Sequence, residues 1–191
     1  MTVYDIVAQL PDVDVLLRRC RALAVLERVV GGGGDEPYYS FADDWALMRN
    51  GSGDEWDIVF GAAGVFIRVF DHESRMSPYR DEDEELWPGL LDGIPPSFRD
   101  AVEEPAFSDG EGHLLATAVI WREAGDDRWH AAEGIEFPAP RSERDTDPDG
   151  AGMLEILLDD IVDRYVAFAE DYFETEVDRA VVERIVRNPG A

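Results

Sequence analysis

The stretch from Gly53 to Tyr79, GDEWDIVFGAAGVFIRVFDHESRMSPY, restricts the folds open to this chain more than any other part of it. Trp56, Ile58 and Phe60 alternate with Asp57 and Val59. After Gly61-Ala62-Ala63-Gly64, the residues Val65, Ile67 and Val69 alternate with Phe66, Arg68 and Phe70. A period of two in β-branched and aromatic residues, divided by a glycine-bounded turn, specifies a β-hairpin. Phe66 and Phe70 make the second strand apolar on both faces, as in a central strand with a helix packed behind it. That strand runs into Asp71-His72-Glu73-Ser74, the densest set of reactive side chains in the sequence.

The chain has 191 residues, enough for one well-buried core and short for two. Its formal net charge is −26, from 43 acids against 17 basic residues, every one of them arginine. Residues 1–95 carry 19 acids and 8 arginines and residues 96–191 carry 24 and 9, so the acidity is no detachable tail. The absence of lysine excludes a Walker A phosphate loop and any Schiff-base enzyme. So negative a surface repels a phosphate backbone, which argues against nucleic-acid binding, and it steers a basic protein partner inward. The single cysteine, Cys20, excludes an internal disulfide, falls in an apolar helical pattern and fits a reducing cytoplasm. The sequence shows neither a signal peptide nor an apolar run long enough to span a bilayer, so a cytoplasmic location and no membrane contact are expected.

Taken in order, residues 3–9 form a short helix. Asp12 then caps a helix running to Val30, whose apolar positions Val13, Leu16, Leu17, Cys20, Leu23 and Leu26 recur at helical spacing. Gly31 to Gly34 end it as a flexible connection. Residues 38–41 and 45–48 read as strands leading into the hairpin, an antiparallel meander. Ser97 to Glu104 is a short helix after Pro96. His113 to Arg122 and Trp129 to Phe137 read as a second hairpin, and residues 138–150 as a polar linker mobile at its tip. Residues 152–174 read as one helix with a wide apolar sector, followed by a final helix over 177–186. The expected fold is a single α+β domain over 1–191. It has a mostly antiparallel sheet, a meander plus a second hairpin, helices chiefly on one face, and two helices at the C-terminus.

Three groups of residues could carry function. Asp71, His72, Glu73 and Ser74 hold every member of a hydrolase triad, but in adjacent positions, whereas a triad converges from separate segments. Asp71 and Glu73, with Asp54, Glu55 or Asp57 across the hairpin, could hold a hard cation. Alternatively, Asp71, Glu73 and Ser74 serve the backbone of the following turn, with His72 partly buried beside them. The acidic run Asp81 to Glu85 lies beside Trp87 in a Pro-flanked loop; acids ringing an aromatic resemble a protein-binding hot spot.

The segments GDEWDIVFGAAGVFIRVFDHES, SPYR and WPGLL resemble an uncharacterised family of bacterial, largely actinobacterial, proteins with an FDHES, MSPY and Trp-Pro-Gly pattern. The resemblance runs from about Asp43 to the final helix and implies no known activity. The order Asn-Gly, Gly-Asp-x-Trp, strand, Gly-x-Val, strand, Asp-His-Glu is also similar to the core of the SUKH superfamily, which includes immunity proteins of bacterial toxin systems. That second likeness implies a small stoichiometric binder rather than a catalyst; the double Phe and the C-terminal helices depart from it.

The sequence thus leads to an acidic protein-binding module, of the immunity type, that neutralises a basic toxin. Its candidate contacts are Asp71, His72, Glu73, Asp81, Asp83, Glu85 and Trp87, with no metal or cofactor. The alternatives are a metal-dependent hydrolase using Asp71, His72 and Glu73, and a small-molecule sensor or accessory protein.

Overall fold

The computed structural model describes residues 1–32, 36–80, 82, 84–143 and 145–190. Tyr39–Ala42 (β1), Trp45–Arg49 (β2), Glu55–Gly61 (β3) and Gly64–Phe70 (β4) are neighbours in space as in sequence, and Ala118–Glu123 (β5) adds beside β4. Every pairing is antiparallel. Two tight turns set this register. Asp43 and Asp44 link β1 to β2 with φ of 50° and 59°, the left-handed geometry that two-residue hairpin loops demand and that Asp tolerates. Ala62-Ala63 link β3 to β4, with Gly61 opposite Gly64. A Cβ on Gly64 (φ +135°) would stand 2.0 Å from the Arg122 carbonyl oxygen, so β5 closes on β4 only over a glycine.

The strands place their two alternating sets on opposite faces. One face carries Tyr39, Met48, Trp56, Ile58, Ile67 and Ile120, all buried. It lies under the helices Val3–Val7 (α1), Val13–Val30 (α2) and Ile161–Tyr172 (α4). The ring of Phe168 on α4 sits 5.3 Å from Tyr39 on β1, while Arg179–Arg187 (α5) packs on α2 and α4. Cys20 is buried in α2, as its place in the apolar pattern predicts. The other face carries Trp45, Asp57, Phe66 and Arg68. It is covered by the 96–116 segment, which contains the short helix Arg99–Val102 (α3), through Phe98 and Phe107. The fold is therefore α+β with helices chiefly on one face and two C-terminal helices, as the periodicities predict.

Four local expectations change. The second hairpin reduces to β5 and a single bridge between Trp121 and His130. Before β5, the backbone of Leu115 bonds instead to the Phe107 carbonyl and accepts from Arg68. The helix expected over 152–174 is broken: residues 151–157 form a 3-10 helix, and α4 begins only after Asp160 in left-handed geometry (φ 41°). Leu154, Ile156, Leu157 and Leu158 are all buried, a spread of directions that one straight helix face cannot supply. Asp12 stands before α2, but its side chain makes no cap; it pairs with Arg122 at 3.1 Å, and its carbonyl accepts the first helical amides. Within the 138–150 linker, residues 147–150 dock against the rest of the fold through the bonds described below. Of the glycine run, Gly33 and Gly34 lie outside the described residues.

Candidate functional site

The candidate residues fall at one end of the sheet. There β4 stops at Phe70, and Asp71 to Ser74 form a turn. Asp71 Oδ1 accepts from the amides of Glu73 (2.9 Å) and Ser74 (3.0 Å), and Ser74 Oγ accepts from the Met76 amide at 2.9 Å. These bonds tie the turn to itself, as Asx and ST turns do. Glu73 is exposed and contributes its backbone only. His72 is held by Asp54, whose Oδ1 lies 2.7 Å from His72 Nδ1 and accepts its amide at 3.0 Å. That bond raises the His72 pKa. Burial pushes the Asp54 carboxyl up, but hydrogen bonds from His72 and Asn50 outweigh it and hold the group below its usual range. A Cβ on Gly53 would come 3.2 Å from the His72 ring, so the glycine admits the imidazole.

Residues 147–150 close this elbow from 76 positions downstream. Ser74 Oγ donates to the Pro148 carbonyl (2.6 Å), and Thr117 Oγ1 donates to the Asp149 carbonyl (2.7 Å) while accepting the Asp71 amide. A Cβ on Gly150 (φ +70°) would lie 2.5 Å from Asp71 Cβ. Asp149 is fully buried and accepts the amides of Val3 (2.8 Å) and Ala151 (3.1 Å). Burial drives its pKa up to about 7 and also raises that of the adjacent Asp147. Asp147 Oδ1 is buried without a hydrogen-bond partner among the described residues, and its carboxyl, close to Asp149, adds to the rise of the Asp149 pKa.

Of the three carboxylates expected across the hairpin, Asp54 comes close to Asp71, and Glu55 and Asp57 do not. Glu55 and Asp57 are held by Arg68 and Arg49. Asp57 and Arg68, both with no exposed surface, pair at 2.6 Å, and Arg49 approaches Asp57 at 3.2 Å and Glu55 at 2.6 Å. Arg68 also bonds Glu55. Trp45 Nε1 donates to Asp57 at 2.9 Å. The sequence reading missed this network, although a signal for it exists. A two-residue turn forces Asp57 opposite Arg68, and Arg68 interrupts an otherwise apolar strand.

Of the remaining candidates, Asp81 and Asp83 lie outside the described residues. Glu85 is exposed, and its carbonyl accepts from Arg80 at 2.7 Å. Trp87 is half-buried. Its Nε1 donates to the Glu136 carbonyl (3.0 Å), and the Arg80 guanidinium sits 5.3 Å from its ring centre. Asp54, Asp71 and His72 offer ligand atoms within 4.8 Å of one another, as do Glu84, Asp109 and His113. Asp54 and Asp71 also line an acidic hollow of about 430 Å³ with Glu73, Asp145 and Asp147.

The opposite end of the sheet, around the β3–β4 turn, was not among the sequence candidates. Two hollows flank Gly61 to Gly64. The larger, about 800 Å³, has a floor of Val13, Leu17, Phe60 and Val65 and a rim that includes Asp12, Asp14, Asp44 and Asp126. The smaller, about 280 Å³, is walled by Trp45, Phe66, Phe98 and Phe107 and edged by Asp100 and Glu104. Among the described residues, the side chains of Asp14 and Asp100 make no hydrogen bond or ion pair, and Asp44 has only an exposed contact to Arg21 at 3.5 Å. Arg122 is the one basic side chain lining either hollow, and it is committed to Asp12 and to the Asp126 carbonyl.

Fold and surface thus define an open antiparallel α+β protein with two carboxylates, Asp14 and Asp100, that have no side-chain partner among the described residues and stand beside apolar hollows at the hairpin tip. No known protein family, curated protein or solved structure matches this chain. Among the described residues, no helix is long and apolar enough to cross a membrane.

Proposed function

We propose that the protein is an acidic binding module for a basic protein partner, docked at the hairpin-tip end of the sheet. The observation that carries this reading is the pairing of apolar floors with carboxylates lacking internal partners in the two hollows beside Gly61 to Gly64. Charges left without partners in the fold can serve a partner's cations, and the apolar floor supplies desolvated contact area. The net charge of −26 adds long-range attraction that screens with salt. A toxin with a basic active cleft, neutralised in the immunity manner, is the partner class that the SUKH resemblance implies.

The test is affinity capture from the source cell with two charge-neutralised variants. The tip variant combines Asp14→Asn, Asp44→Asn and Asp100→Asn; the control combines Glu73→Gln, Glu82→Gln and Glu85→Gln. A basic protein should be retained by the parent and the control and lost from the tip variant. Equal capture by the tip variant, or capture of only acidic proteins, overturns the reading.

A second reading, a metal-dependent hydrolase, draws on the convergence of Asp54, Asp71 and His72 beside the acidic hollow, with Asp54 in the place expected of Glu73. A cation there must displace the Asp54–His72 bond. A rise of several degrees in melting temperature with micromolar Mg²⁺, Mn²⁺ or Zn²⁺ would support it, because a ligand for the folded state stabilises that state. An unchanged melting curve speaks for the binding module.

A further inference from the structure

We propose that the smaller hollow at the hairpin tip is a receptor for one arginine side chain of the partner. The inference rests on the binding-module reading and names its anchor. The pocket floor consists of Phe66, Phe98 and Phe107, each at most 4 % exposed, with Trp45 as a half-buried wall. Trp45 spends its polar edge inward, on Asp57, and so offers the pocket only ring surface. Aromatic faces attract cations, and guanidinium stacks on them better than ammonium does. The chain already uses this contact within its own fold: Arg68 lies 5.0 Å from the Phe107 ring centre and Arg21 lies 5.1 Å from that of Phe41. Arg68, buried against Phe107, does not repel a cation entering the pocket along Trp45, because Asp57 and Glu55 neutralise it.

The rim selects the charge. Asp100 and Glu104, four residues apart, edge the pocket; Asp100 has no partner among the described residues, and Glu104 receives only the Ala106 amide at 3.2 Å. Two carboxylates can share a planar guanidinium fork, as one ammonium point charge cannot. At about 280 Å³ the pocket falls just below the range of drug-sized ligand sites, which fits a single side chain entering from a partner's surface. Its mouth adjoins the Gly61 to Gly64 turn, shared with the larger acidic hollow on the opposite face of the sheet, so the anchor and the surrounding charge contacts meet at one end of the sheet.

The experiment titrates the ¹⁵N-labelled protein with acetyl-Gly-Arg-Gly-amide and with the same peptide carrying citrulline or lysine, reading amide shifts at Ala62, Ala63 and Ala101. The arginine peptide should move these signals with millimolar affinity, and the citrulline and lysine peptides should bind at least fivefold more weakly. Asp100→Asn with Glu104→Gln should weaken the arginine peptide severalfold. Ala101→Leu, which adds bulk at the half-buried rim of the pocket, should abolish the shifts. Equal shifts from the citrulline or lysine peptide, shifts confined to Asp12 and Asp14, or no shifts at all overturn the assignment. The two readings fail separately. Partner capture that survives Ala101→Leu but not the tip neutralisation removes the pocket and keeps the module; arginine binding without any captured partner does the reverse.

Discussion

The two ends of this sheet differ in how fully their acids are bound within the fold. At the elbow end, Asp54 is bonded to His72, Asp71 to its own turn, Asp57 and Glu55 to Arg68 and Arg49, and Asp149 to the amides of distant Val3 and neighbouring Ala151. At the tip end, Asp14 and Asp100 have no such partners among the described residues, and apolar surface lies between them. The reactive-looking cluster is thus largely bonded into the fold, while the plain hairpin turn leaves Asp14 and Asp100 without such bonds. Desolvated charges must be satisfied within the fold, so dense polar clusters at element ends are first of all structural. Carboxylates left in water beside apolar floors keep their capacity for a partner.

The sharpest way to break this contrast is to attack the paired end. Arg68→Met leaves Asp57 buried with only Arg49 and Trp45 to compensate it, and should cost about 3–5 kcal/mol in urea unfolding. Adding Asp57→Asn should restore part of that loss, since the amide oxygen still accepts the Trp45 N–H. A loss under 1 kcal/mol in the single variant would show that the network is dispensable.

Gly150→Ala probes the long-range closure of the elbow. Its Cβ would meet that of Asp71 at 2.5 Å in a left-handed backbone, so a cost of about 2 kcal/mol is expected from the φ penalty and the displaced turn. An unchanged melting temperature would mean that residues 147–150 do not brace the turn.

Asp149 gives the elbow end a pH dependence with a definite sign. Its pKa of about 7 in the fold exceeds its value in the unfolded chain, so the folded state holds a proton that the unfolded state releases. This stabilisation is full below about pH 4 and is lost as pH rises through 7, by at most about 4 kcal/mol at roughly 1.4 kcal/mol per pKa unit. Asp147→Asn removes the neighbouring charge and can donate to Asp149. Stability at pH 8 should rise by about 1 kcal/mol and its fall between pH 5 and 8 should shrink. Identical slopes for parent and variant would refute the influence of Asp147 on the Asp149 carboxyl.

The smallest effect is expected at the other end. The tip variant Asp14→Asn/Asp44→Asn/Asp100→Asn should change stability by no more than about 0.5 kcal/mol, as surface substitutions do. At ~10 mM salt, where exposed charges still interact over about 30 Å, it should gain slightly from reduced self-repulsion. A loss above 1 kcal/mol would show that the tip acids are structural too, and the contrast would collapse.

Much of the architecture is legible in the residues themselves. Trp56 to Phe70 encode their hairpin, its two-residue turn and therefore the opposition of Asp57 and Arg68. The places of Asp71 and Ser74 in the turn follow from the hydrogen bonds such side chains make to nearby amides. The break at Asp160 and the lost second hairpin were not legible. Helical and strand periods report which side chains share a face, and residues 152–174 and 113–137 satisfy those periods without obeying them. What overrides them is the burial of Leu154, Ile156, Leu157 and Leu158 together, and the capture of the Leu115 backbone by Phe107 and Arg68.

The sequence by itself determined the meander, the central apolar strand, the acidic character and the exclusion of lysine chemistry, because these depend on local stereochemistry and on composition. Only the tertiary structure decided which acids are spent and which remain available. Asp54 meets His72 across 18 residues, Ser74 meets Pro148 across 74 and Val3 meets Asp149 across 146. No local pattern records such meetings. A carboxylate's role is set by the donors that burial brings to it, and those donors are chosen by how the whole chain closes its core.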